Sequence, residues 1–146
     1  MQPVPFDDSD ELLFIRMTAD QVDGEHAIPA VVDLPDWSAN RERFSEPDDV
    51  LLGYPDHTHI GQFRVGDIPP KIDPDPPSHP KQPAADPWEF WAEHDPLPDN
   101  DAHSEVRMRK EGEQYFRGKK IGSRPYKKKV RTELSKIIRV QEPRNG

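Results

Sequence analysis

A chain of 146 residues suits one domain, and 32% apolar residues with 18 prolines imply a small core and stretches without regular structure. There is no cysteine, which excludes disulfide frameworks, thiolate zinc sites and cysteine nucleophiles. The net charge of −8 hides an asymmetry: residues 1–106 carry 6 Lys and Arg against 24 Asp and Glu, net −18, whereas residues 107–146 carry 14 against 4, net +10.

The opening segment "MQPVPFDDSDE" has neither the basic stretch nor the apolar run of a signal peptide. Apolar runs such as "LLFI" fall far short of the roughly 18 residues of a membrane span. A cytoplasmic protein without membrane association is therefore expected. "ELLFIRM", bounded by acidic and turn-forming residues, predicts a strand over 11–17. "AIPAVVDLP" predicts a second over 27–33, with Pro29 confined to an edge or a strand start because it cannot donate to a ladder. "DWSANRERFS", 36–45, reads as a loop anchored by Trp37 and Phe44. Ser38 and Asn40 suit turns, and Arg41 and Arg43 suit bidentate contact with a carboxylate or phosphate.

"SEPDDVLL" predicts a short helix over 47–52, with Ser45 as its cap, Asp48 completing a capping-box spacing, Pro47 in the first turn, and Gly53 and Pro55 ending it. "HIGQFRVGDI" predicts a strand over 59–67, with Ile60, Gln62 and Arg64 on one face and Gly61, Phe63 and Val65 on the other. The proline-rich stretch 69–87 should run as an extended surface loop. Its length marks it as a spacer or as a docking segment for a proline-binding partner. In "DPWEFWAEH", Asp86 as cap, Pro87 at the first position and Glu89 predict a helix over 87–93, burying Trp88 and Trp91 on one face. "HSEVRMR" predicts a strand over 103–109, with His103, Glu105, Arg107 and Arg109 on one face and Ser104, Val106 and Met108 inward. "KEGE" is then a turn, and "QYFRG", 114–118, a short returning strand. Finally, Tyr126, Val130, Leu134, Ile137 and Ile138 draw an apolar stripe along a helix over 124–140, while Lys127, Lys128, Lys129, Arg131, Lys136 and Arg139 cover much of the rest.

The expectation is thus a single α+β domain, residues 1–146. A small mixed or antiparallel sheet of about four strands (11–17, 27–33, 59–67, 103–109) packs against the C-terminal helix. The proline-rich loop lies outside, and residues 122–146 form a basic helix and tail.

Chemistry-bearing residues gather at few places. In "YPDHTHIGQF", His57 and His59 would project to one face of a strand, a spacing that lets two imidazoles reach one ion. Without spaced partners this His-x-His pair is a weak signal, so no metal is expected, and no motif calls for a cofactor. His57, His59 and His103 are also candidates for proton transfer, the ordinary role of an imidazole near neutral pH. Arg16, Arg41, Arg43, Arg64 and Arg107 are able to hold phosphate. Together these would serve metal-independent cleavage of RNA or a nucleotide, although no nucleophile elbow, Walker loop, HExxH or Rossmann fingerprint is present.

"NRERFSEPDDVLLGYPDH" and "DPLPDNDAHSEV" resemble stretches of short bacterial hypothetical proteins. The resemblance implies that residues 36–68 and 95–109 share one folded unit, and it transfers no activity or catalytic residue.

The expected function is that of a small bacterial cytoplasmic binding or accessory protein. Its basic C-terminal region (Lys127, Lys128, Lys129, Arg131), with the Arg41–Arg43 loop, would grip an acidic protein or nucleic acid, or a second copy of the chain head to tail. The alternative is a small hydrolase or nuclease-like enzyme using His57, His59 and His103, with Arg16 and Arg64 holding phosphate. These predictions leave open whether the acidic body neutralises the basic third.

Overall fold

A computed structural model describes residues 1–141 of the chain. Nine strands and one α-helix run in the order β1 (Leu12–Met17), β2 (Val22–Asp23), β3 (His26–Ala27), β4 (Trp37–Arg41), β5 (His59–Arg64), β6 (Lys71–Ile72), β7 (Trp88–His94), β8 (His103–Lys110), α1 (Arg124–Ser135) and β9 (Arg139–Val140). Seven strands form one antiparallel sheet in the order β6-β7-β8-β4-β1-β5-β9, and β2 and β3 make a separate hairpin. The α+β class holds, with more strands than the four expected. Among the described residues no helix is long and apolar enough to cross a membrane.

Side-chain alternation divides the sheet into an inner and an outer face. Leu13, Ile15 and Met17 of β1, Trp37 and Ala39 of β4, Phe63 of β5, Trp88 and Phe90 of β7, and Val106 and Met108 of β8 share the inner core. Tyr126, Val130 and Leu134 of α1 pack into the same cluster, as does the 3-10 turn Pro29–Val31 through Val31. Tyr126 also ties this layer to the sheet edge, since its hydroxyl donates to the Ile72 carbonyl and accepts from the Trp88 amide. Burial therefore raises the Tyr126 pKa.

The structure corrects several elements. The expected helix at 87–93 is β7, paired with β8 from Trp88↔Lys110 to His94↔Ser104. Asp86, Pro87 and Glu89 mimic a helix start, but the period-2 burial of Trp88, Phe90 and His94 prevails. Trp88 and Trp91 consequently face opposite sides. The expected loop at 36–45 contains β4, which lies between β1 and β8 near the middle of the sheet. The expected strand at 27–33 shrinks to His26–Ala27, because Pro29 opens a 3-10 turn instead. The element at 47–52 is a 3-10 turn, Pro47–Leu51. It is capped by a Glu46–Asp49 box rather than by Ser45, which donates to the Arg41 carbonyl at 2.8 Å. Residues 114–116 have no regular structure and 117–118 form a turn, so no strand returns here.

The C-terminal helix ends at Ser135. The apolar pattern continues because β9 then joins β5 through Gly61↔Val140. A side chain on Gly61 would meet Ile15, Met17 and Ile138 at 2.9–3.0 Å, so glycine is required at this crossing. The proline-rich stretch carries β6 at its start. It then runs mostly exposed and without regular structure, with Asp75 paired to Lys129 at 2.7 Å.

Candidate functional site

The outer face of the sheet is polar and is roofed in two places. Over β7 and β8 lies the segment after β8. Arg117 clasps the carboxylate of Glu105 through two hydrogen bonds, 2.7 and 2.8 Å, and Glu105 is only 1% exposed. Arg107 reaches the same carboxylate at 3.1 Å. The Tyr115 ring meets Trp91 edge-on and lies under Arg107, and its hydroxyl donates to Asp36 at 2.6 Å. Burial and that hydrogen bond push the Tyr115 phenol up to about 12. Over β1 and β5 lies the turn Pro47–Leu51, which packs Val50 on Phe14 and Ile60.

Between these roofs the sheet is open. A cleft of about 760 Å³ has Arg16 (β1), Ser38 and Asn40 (β4) and His103 (β8) on its floor. Its walls are the segment from Phe44 to Tyr54 and the loop from Leu97 to Asp101. The second wall is firmly held. Asn100 donates from its side-chain amide to Asn40 at 2.8 Å and accepts from the Ala102 amide at 3.1 Å. Pairing fixes the floor as well. The Phe14↔Asn40 register places Arg16 across from Ser38, and Ser38 pairs with Glu105 on its other side. His103 Nδ1 lies 2.8 Å from the Asp95 carbonyl oxygen, an acceptor, so this nitrogen carries the proton. Nε2 lies 3.3 Å from the Ser38 hydroxyl. A smaller cavity of about 240 Å³ adjoins this cleft, sharing Arg16 and Ser38 and adding His57.

The sequence-predicted residues scatter over the molecule. Arg16 and His103 meet in the cleft, and His57 stands beside it against the Tyr54 ring. His59 turns to the Thr58 hydroxyl at 2.8 Å. Arg41 is a correction. It is fully buried, with Nε and one terminal nitrogen on Glu11 at 3.0 and 2.7 Å and the other on the Val4 carbonyl at 2.6 Å. The Phe6 ring lies 4.0 Å from its guanidinium carbon, so Arg41 grips the N-terminal segment and is closed to any ligand. Arg43 is exposed beside Phe44, and Arg64 lies at a separate hollow with Lys136 and Arg139. Arg107 is engaged by Glu105. Ser38, Asn40, Tyr54 and Asn100 were not read as site residues. No sequence motif marked them, and the segments 44–54 and 97–101 supply both walls of the cleft.

The cations of α1 form the second candidate region. Arg124, Lys127, Lys128 and Arg131 follow i, i+3, i+4, i+7 spacing and therefore share one helix face. None of the four has a carboxylate partner among the described residues, and the Arg131 Nε is buried without a hydrogen-bond partner. They border a hollow of about 930 Å³ with Pro29, Ala30 and Pro125. Lys129, by contrast, is held by Asp75. The first turn of α1 holds no acidic residue, so the positive end of the helix dipole adds to the cationic field.

No family model matches the chain, and no curated protein or solved structure is similar to it. The site is therefore read from its geometry alone.

Proposed function

We propose that this is a cytoplasmic binding or accessory protein whose anionic partner docks on the exposed face of α1. The observation that carries the reading is the stripe Arg124, Lys127, Lys128 and Arg131, which has no carboxylate partner among the described residues of a chain of net charge −8. Free cations beside a helix N-terminus are mutually unfavourable until an anion arrives. Two features favour an acidic protein segment over nucleic acid. The hollow beside the stripe offers apolar contacts from Pro29, Ala30 and Pro125. The acidic remainder of the chain repels a long polyanion, whereas a short acidic segment touches the stripe alone.

The test is fluorescence anisotropy with two probes, an acidic leucine-containing peptide and a short RNA of equal charge, at low and high salt. The expected result is salt-sensitive peptide binding, tighter than RNA binding. It should weaken by at least about tenfold when all four stripe residues become Gln. Tighter RNA binding that depends on the same four residues transfers the partner to nucleic acid. Binding to neither probe, or binding that survives the substitutions, refutes the role of α1.

A further inference from the structure

The cleft on the outer face is independent of α1, and its floor holds an arginine with unused donors. Arg41, Arg107 and Arg109 of the same sheet each reach a carboxylate. Arg16 reaches none among the described residues. Its contact is the face of the Tyr54 ring, 3.6 Å from the guanidinium carbon to the ring centroid. A stacked guanidinium is held flat while its five N–H groups still point outward in its own plane, the geometry that recognises a carboxylate or phosphate. Across the strand pair stands Ser38, whose hydroxyl rests on His103 Nε2 and is free to rotate toward an incoming oxygen.

The walls describe the rest of the ligand. Leu52, Tyr54 and Leu97 are 73%, 42% and 39% exposed, and all three line the cleft. Apolar side chains left open around a polar floor are a common feature of small-molecule sites, and about 760 Å³ lies within their usual range of roughly 300–1,000 Å³. Asp49, Asp99 and Asp101 also line it. Their charges repel a chain of anionic groups and confine a single one to the Arg16 guanidinium.

We propose that this cleft binds a small molecule carrying a single carboxylate or phosphate group, held by Arg16 and Ser38, with an apolar body lying against Leu52, Tyr54 and Leu97. Nucleic acid and acidic proteins are not its ligands, so this site stands or falls separately from α1.

The probes are acetate, hexanoate and inorganic phosphate, added at constant ionic strength while the Arg16 Nε–Hε resonance is followed by NMR. Disappearance of that resonance in Arg16→Gln provides its assignment. A saturable shift is expected with phosphate or with the carboxylates, and the comparison of the two arms identifies the headgroup. Hexanoate should bind at least about tenfold tighter than acetate, from its additional buried methylenes. His103 and Ser38 resonances should shift in parallel in the native protein and not in Arg16→Gln, whereas the α1 quadruple Gln variant should behave as the native protein does. An Arg16 resonance unmoved by all three probes overturns the site. So does a shift that grows linearly without saturation, or perturbation of Ser38 and His103 that persists in Arg16→Gln.

Discussion

Two sets of cations from the same basic third of the chain meet opposite fates. Most of those on β8 and in the segment after it reach a carboxylate. Arg107 and Arg117 share Glu105, Arg109 pairs with Glu89, Lys110 with Asp86, and Lys119 with Glu113. Arg124, Lys127, Lys128 and Arg131 of α1 have no carboxylate partner among the described residues. Identical side chains thus serve cohesion in one region and leave potential for a partner in the other. What separates them is the element that carries them. β8 and the segment folded back over it bring carboxylates of neighbouring residues within reach, whereas the α1 face that carries Arg124, Lys127, Lys128 and Arg131 meets none among the described residues.

The strongest test of this contrast removes the carboxylate at the centre of the matched set. Glu105→Ala leaves Arg107 and Arg117 without their common partner on a covered face. It should lower stability by about 3 kcal/mol, near the low end for a broken buried pair because Arg117 is itself largely exposed. Urea denaturation measures this, and an unchanged midpoint would show that pairing does not hold the segment down. Conversely, changing Lys127 and Lys128 together to Gln should leave stability within about 0.5 kcal/mol while weakening any anionic partner. A large loss of stability there would mean that these cations have a structural role after all.

A smaller effect is read by raising the pH. The folded Tyr115 phenol titrates near 12, above the ordinary value of about 10, so folding favours its neutral form. Its contribution is complete below about pH 10 and disappears as pH rises through about 12. Absorbance at 295 nm should report late-titrating tyrosine signal from Tyr115 and Tyr126, of which Tyr115→Phe removes the Tyr115 part. The difference in stability between native protein and this variant should shrink over the same window. The smallest expected change is a gain. Arg124→Glu exchanges an unfavourable charge in the first turn of α1 for a favourable one, and should raise stability by about 0.5 kcal/mol, seen as a modestly higher Tm. A loss instead would mean that Arg124 makes a compensating contact.

The outline of the fold was legible where one physical signal acted alone. β1, β5 and β8 fall within a few residues of expectation, because short apolar or alternating runs between turn residues have few other readings. β7 was misread because a helix-start signature and a strand period overlapped in "DPWEFWAEH". β4 was missed because its inward residues include Arg41, a charge that is buried only because Glu11, thirty residues away, meets it. The cleft was harder still. Arg16 and His103 stand out by their chemistry, but Ser38, Asn40, Tyr54 and Asn100 are ordinary uncharged residues until the sheet gathers them.

By itself the sequence determined the α+β class, the division into acidic and basic parts and the amphipathic character of α1, since each follows from composition or short-range periodicity. Tertiary structure alone decided which charges cancel, which arginine is entombed and which stands open in a cleft. Those outcomes depend on strand register and on contacts between residues far apart in the chain, and a local pattern carries no record of either.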